Sequence, residues 1–256
     1  MILTDTHTHL YSEQFNEDIG SVIQNCIDKG ITRLFLPNID SSSIDRMLEL
    51  GVKFPENCFP MMGLHPTSVK DNYKEELALV EQWMSKQKFC AVGEIGIDLY
   101  WDKTHLKEQQ DAFRFQIELA KKYSLPFVIH CRDAFDEIFE ILDELNDEKM
   151  RGIFHCFTGT VDQANHIINY GDFKIGIGGV VTFKNSGLDK VVEQLALEHL
   201  VLETDSPYLA PTPFRGKRNE STYLYNIAEK VAELHQTDIE TIAKITTKNS
   251  VDVFGF

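Results

Sequence analysis

Little in the sequence ties it to a membrane, a disulfide framework or a long stretch of duplex nucleic acid. Its five cysteines are odd in number and form no CxxC pair, which argues against a disulfide framework and against a zinc ribbon. They read as buried or half-buried thiols in a reducing compartment. No run approaches the ~20 apolar residues needed to span a bilayer, and no basic segment followed by an apolar one opens the chain; a cytoplasmic, soluble protein without a membrane role is expected. Lys and Arg number 25 against 40 Asp and Glu, a net charge of −15. That balance leaves no basic stripe for a broad grip on duplex DNA, so a nucleic acid substrate has to be held at a small local site. No stretch rich in Pro, Gly or Ser divides the chain and no low-complexity tail extends it. Residues 1–256 therefore read as a single domain, with no segment announcing an obligate protein partner.

What is present is regular alternation. Apolar strand-like runs cover residues 2–10, 33–39, 58–65, 89–98, 127–132, 152–158, 173–182 and 200–204. Helical patterns follow them at 19–29, 44–50, 75–86, 105–123, a segment with Phe135, Ile138, Leu142 and Leu145 on one face, 163–170 and 188–197, then two more at 221–235 and 239–254. Leu106, Phe113, Ile117 and Ala120 share one face of the longest helix, and Pro126 lies just beyond its end. Eight such units in 256 residues give a parallel (β/α)8 TIM barrel with an extra C-terminal helix as the expected α/β fold. An open doubly wound sheet is the alternative.

Barrel chemistry sits at the C-terminal strand ends, and there the ligand-type residues gather. Strand alternation turns Asp5, His7 and His9 the same way. His65, Glu94, His130 and His155 end or interrupt later runs, and Glu203 and Asp205 close the eighth. Each histidine interrupts what should be apolar core. His105, His166, His199 and His235 lie on helices instead and read as solvated or capping. Nitrogen and carboxylate ligands suit Zn, Mn or Fe, with Mg where water completes the shell, and two divalent ions bridged by one carboxylate fit a set this large.

The blocks that carry these residues resemble those of TatD-family metal-dependent hydrolases, within the amidohydrolase-like barrels. They are DTHTHL (5–10), GLHP (63–66), VGEIGID (92–98), LPFVIHCRDA (125–134), FHCFTGT (154–160), GIGGVVTFKN (176–185), ETDSPYLAP (203–211) and RGKRNE (215–220). The resemblance implies one ion held by His7, His9, Glu94 and Asp205, a second held by Glu94, His130 and His155, and Glu94 as the bridge. It also implies a shared water acidified towards pKa ~7. Asp205 can be a ligand or the general base that orients this water. Glu203 can bond to a ligand or hold a further ion, and Asp5 is expected to orient a ligand imidazole. RGKRNE is followed by Ser221, where the family pattern has proline.

On the substrate side, Arg215, Lys217 and Arg218 form the densest basic cluster of an acidic chain. With His65 and Arg132 they are the candidates for a substrate phosphate, since a guanidinium matches phosphate oxygens in a bidentate fork. Tyr100 and Trp101 are candidates to stack a base; Cys131 and Cys156 read as packing residues on the opposite strand faces. The expected activity is hydrolysis of DNA phosphodiester bonds, as a deoxyribonuclease working 3′ to 5′ from a strand end. The alternatives are hydrolysis of an ester or amide in a phosphate-bearing metabolite or aminoacyl-tRNA, and a non-catalytic metal-binding scaffold.

Overall fold

In a computed structural model, which describes residues 1–100 and 102–255, eight parallel strands alternate with helices. The strands are β1 (Leu3–Asp5), β2 (Ile31–Pro37), β3 (Cys58–Met61), β4 (Val92–Asp98), β5 (Phe127–Arg132), β6 (Gly152–Phe154), β7 (Phe173–Ile177) and β8 (Leu200–Leu202). The helices are α1 (Ile19–Asp28), α2 (Ile44–Lys53), α3 (Tyr73–Lys86), α4 (Leu106–Tyr123), α5 (Phe135–Leu145), α6 (Val161–Asn169), α7 (Leu188–Val192), α8 (Leu224–Leu234) and α9 (Ile239–Phe254). Local chemistry sets many of their ends. Thr160 and Gln163 form a reciprocal capping box before α6, Asp238 accepts from the Thr241 N–H at the start of α9, and Gly255 closes α9 in the left-handed region.

Ladders run β1-β2-β3 and β4-β5-β6-β7-β8. A bridge between Met62 and Val92, backed by the Gly93 N–H to the Met62 carbonyl at 3.0 Å, joins β3 to β4. The Thr6 N–H reaches the Leu202 carbonyl at 3.1 Å and joins β8 to β1. The architecture is the (β/α)8 barrel expected from the sequence. No helix among the described residues is long and apolar enough to cross a membrane.

Several strands are shorter than the apolar runs imply, most of them at the catalytic end, while β4 starts at Val92 rather than residue 89. β1 stops at Asp5 rather than residue 10, β3 at Met61 rather than 65, β6 at Phe154 rather than 158, and β7 at Ile177 rather than 182. The segment after β1 still bonds to both neighbours, through the Thr8 N–H to the Phe35 carbonyl (3.0 Å) and the His9 N–H to the Ser206 carbonyl (2.7 Å). The Asp205 N–H also returns a bond to the His7 carbonyl at 2.9 Å, yet the named strands end below these bonds, so the polar motifs sit in connections above the strands.

Beneath them lies an apolar floor. Val128, Ile153 and Val201 precede His130, His155 and Glu203 by two residues and so share their faces. They pack with Phe35, Met61 and Ala91, and Val253 and Phe254 of α9 close the cluster. The Phe254 ring stacks on Phe35 at 3.9 Å between centroids. A dry floor keeps the donors above it from being rehydrated from below.

Asp5 differs from expectation. It orients no imidazole: its Oδ1 accepts the Thr204 N–H (2.9 Å) and its Oδ2 accepts the Thr204 hydroxyl (2.6 Å), with a longer bond from the His7 N–H (3.4 Å). It therefore staples the first strand to the end of the last, where the barrel closes. Burial pushes its carboxyl up to about 7, against hydrogen bonds from Ser221 and Thr204 that act the other way. Asp5→Ala leaves the buried Thr204 N–H and hydroxyl without this partner, at about 1–3 kcal/mol each. Urea unfolding should show a loss of roughly 2–6 kcal/mol; a loss below about 1 kcal/mol would show that the staple does not hold the closure.

Candidate metal centre

The expected ligands converge at the mouth of the barrel around one buried carboxylate. Glu94 lies in β4, 1% exposed, and its two oxygens face different sets of imidazoles. Oε2 is 3.1 Å from His7 Nε2 and 3.6 Å from His9 Nε2. Asp205 Oδ1, just past β8, is 3.8 and 3.5 Å from the same two nitrogens, which are 3.3 Å apart. A tetrahedral ion with bonds of ~2.1 Å has ligand-to-ligand edges of about 3.4 Å, and these separations bracket that value. Oε1 is 2.8 Å from His130 Nδ1, 3.0 Å from His155 Nε2 and 3.3 Å from His65 Nε2.

The outer hydrogen bonds decide which of these nitrogens present lone pairs. Tyr11 Oη donates to the Pro37 carbonyl, so it must accept from His9 Nδ1 at 2.8 Å, leaving His9 Nε2 bare. His155 Nδ1 faces Glu203 Oε1 at 3.1 Å, and His130 Nε2 faces Asp98 Oδ2 at 2.9 Å. With a cation beside Glu94, both would carry their protons outward and aim the other nitrogen at it. His65 is the reverse: the Thr67 N–H donates to its Nδ1 at 3.1 Å, so Nε2 bears the proton. His65 is a donor towards Glu94 and the cavity, although it lies close enough to Glu94 and His130 to join a metal cluster on distance alone. Bare nitrogens and carboxylate oxygens converging without protons between them fit divalent cations.

The electrostatics agree. Burial would push the Glu94 carboxyl up, but His155, His65 and His7, with the hydrogen bond from His130, outweigh it and hold it well below the carboxylate range. Burial likewise opposes charge on His155, yet Glu94 and Glu203 raise it well above an ordinary histidine. Burial, with the neighbouring His155, lowers His7. The pocket favours positive charge between Glu94 and its imidazoles.

β4 and β5 build much of this. Glu94, Gly96 and Asp98 share a face, and Gly96 pairs in register with His130. Gly96 has φ +139°, and a Cβ there would stand 2.0 Å from the His130 carbonyl oxygen, so only glycine lets the strands approach there. His130 then sits between Glu94 and Asp98. Sequence reading missed Asp98, although its four-residue spacing from Glu94 on a strand was a usable signal. It also missed Tyr11, Thr67, Tyr208 and Leu209, whose roles depend on loops.

A cavity of about 460 Å3 opens over the ligands, lined by His65, Thr67, Arg132, Asp205, Tyr208 and Leu209 among others. Arg132 is at its rim, its guanidinium 3.8 Å from the Tyr100 ring centroid; Trp101 lies outside the described residues. The basic cluster does not line this cavity. Arg215 stacks on Phe183 at 3.6 Å, and the Lys217 ammonium lies 5.9 Å from the Phe214 ring centroid. Arg218 departs most from the phosphate role expected of it. Its guanidinium bonds to both Asp18 oxygens (2.9 and 2.7 Å), to Glu220 (2.8 Å) and to the Gln14 carbonyl (2.8 Å), and stacks on Phe15 at 4.4 Å. Those acids use up the fork that a phosphate would take. Cys131 packs against the apolar layer as alternation requires. Cys156, at φ 46°, instead lines the adjoining cavity, which Cys131 also reaches. Burial pushes both thiols up, so neither is a thiolate nucleophile.

Over residues 4–255 the chain matches the TatD related DNase family. It is 39% identical over 254 residues to the uncharacterized metal-dependent hydrolase YabD of Bacillus subtilis, covering 99% of both chains. It is 35% identical over 269 residues to the uncharacterized metal-dependent hydrolase BU355 of Buchnera aphidicola, covering all of both. The crystal structure of YjjV, a TatD homologue of Escherichia coli, superposes with a TM-score of 0.93 at 28% identity, covering 99% of this chain and 98% of that one.

The Arg218 clamp makes its own prediction. The hydrogen bond from Arg218 holds Asp18 below its ordinary value of 3.8 against a small burial effect, so its contribution is present above that value and lost as pH falls through the lower folded one. Arg218→Ala should cost about 1 kcal/mol in urea unfolding at neutral pH, with the deficit shrinking in acid and bound metal unchanged. A variant of undiminished stability that loses substrate binding would return Arg218 to the substrate.

Proposed function

From the chain's membership of the TatD related DNase family of metal-dependent hydrolases, we propose that it cleaves phosphodiester bonds of DNA, taken from a strand end, at a centre of two divalent ions. The observation that carries this reading is Glu94, whose Oε2 faces His7 and His9 while its Oε1 faces His130 and His155. One carboxylate addressing two imidazole sets is the arrangement of a bridging ligand.

His7, His9, Glu94 and Asp205 would hold one ion, and Glu94, His130 and His155 the other. When bound, ions of the Zn, Mn or Mg class supply Lewis acidity that acidifies water and neutralises charge building on phosphoryl oxygens. The chain's own residues do the rest. Asp205 stands at the cavity wall, its side chain 14% exposed, where it can accept the proton that the attacking water gives up. The Nε2–H of His65 points into the cavity and can donate to a phosphoryl oxygen. Arg132 adds a positive charge at the rim, on the path of an incoming strand.

The dimensions favour an end. A cavity of about 460 Å3 suits a nucleotide-sized group rather than a duplex, and a chain of net charge −15 cannot track a backbone over many phosphates. A free 3′ end can enter such a mouth with its terminal phosphodiester over Glu94. Arg215 and Lys217, set outside the cavity, would meet the strand further back.

With Mn or Mg, purified protein should shorten 3′-end-labelled single-stranded oligonucleotides stepwise, and Glu94→Gln should slow this by at least about 10²–10³-fold. Intact oligonucleotides across Mn, Mg and Zn, with metal-dependent turnover of a carboxylic ester, would move the reading to an esterase or amidase of the same centre.

A further inference from the structure

We propose that Glu203 is a positioning carboxylate shared by both halves of the metal centre, fixing His155 directly with one oxygen and steadying His7 through a single buried water with the other. Imidazoles that bind metals almost always give their second N–H to an acceptor. His9 has Tyr11, His130 has Asp98 and His155 has Glu203. His7 is the exception, since its Nδ1 is buried with no partner in the protein. The same is true of Glu203 Oε2.

These two atoms have complementary needs. With His7 Nε2 engaged by an ion held beside Glu94, the ring's proton belongs on Nδ1, which seeks an acceptor. Glu203 is fully buried, and its Oε1 is already taken by the Cys156 N–H and His155 Nδ1, so Oε2 remains to accept. The His7 and His155 rings stack at 3.6 Å, nearly parallel. His7, His155 and Glu203 each bring a ligand-type atom within 4.8 Å of the others. Two hydrogen bonds of about 2.8 Å meeting at one water span up to about 4.6 Å, the reach over which His7 Nδ1 and Glu203 Oε2 would share it. Such a water satisfies two buried polar atoms whose isolation would otherwise be costly.

The fold reserves room for this carboxylate. Gly176 of β7 faces it, and a Cβ there would stand 2.4 Å from Glu203 Oε2 and 2.8 Å from its Cδ. Gly176→Ala therefore displaces the free oxygen while leaving Glu203 itself unchanged, a second perturbation of the same contact. Asp98→Asn is the contrasting case, because Asp98 bonds to His130, on the far side of Glu94 from His7.

The test is ¹H–¹⁵N imidazole spectroscopy on the full-length, zinc-loaded protein, with circular dichroism to establish that each variant is folded. In the wild type, His7 Nδ1 should carry a proton that exchanges slowly and shows a cross-peak to bound water. Glu203→Gln and Gly176→Ala should each shift the ring nitrogens of both His7 and His155, whereas Asp98→Asn shifts those of His130. Zinc affinity should fall by about 10- to 100-fold in the first two variants. A wild-type His7 Nδ1 without a proton, or Glu203→Gln and Gly176→Ala spectra in which His155 moves and His7 does not, would overturn the shared role. The affinity consequence rests on the two-ion reading above. The ring spectra need only an ion on His7 Nε2, whether or not a second is bound beside His130, and a failure of the two-ion reading appears separately as zinc stoichiometry.

Discussion

One ionised carboxylate buried at the mouth of an apolar barrel is the constraint on which the rest depends. Glu94 cannot stay charged at 1% exposure without compensation, because burial raises the free energy of an isolated charge by far more than the margin of folding. Compensation comes from the positive charge that the imidazoles on both sides carry or hold, and the need to fix those imidazoles propagates outward. Tyr11, Asp98 and Glu203 are each spent on fixing one ring nitrogen. The centre is thus two layers deep before it meets the helices.

The barrel supplies what such an arrangement requires. Its interior below the ligands is dry and filled, so the donors cannot relax downward into water. Its strands leave their ladders once they have delivered the ligand motifs, as β1 does after Asp5 and β6 after Phe154. Its last joint is secured by polar chemistry, through the bonds of Asp5 to Thr204. The staple lies two residues from His7 and one from Asp205, so barrel closure and the placing of two candidate ligands from opposite ends of the chain are one event.

Much of this was legible in the sequence because the signals were periodic or repeated. Eight apolar runs separated by helical patterns specify the barrel, and histidines and acids at the ends of those runs specify the rim. Residues whose roles depend on what another loop places beside them were not legible. Arg218 looked like a phosphate-binding cation until α1 brought Asp18 against it, and nothing in the spacing of residues 18 and 218 announces that pair. Asp5 looked like an imidazole partner because alternation turned it towards His7, yet strand closure brought Thr204 nearer. His65 ends an apolar run as the other strand histidines do but was expected at the substrate phosphate, and the Thr67 N–H on its Nδ1 gives the physical reason, since it leaves Nε2 a proton donor.

The two faces of Glu94 make the chemistry and the fold testable together. Crystals of the protein grown with manganese or zinc, measured at the absorption edge of the metal, locate the ions without reference to any substrate. Two anomalous peaks flanking Glu94, one among His7, His9 and Asp205 and the other beside His130 and His155, are the predicted result. A single peak, or one coordinated by His65 Nε2, would contradict the bridging role of Glu94 and the proton assignment that rests on it.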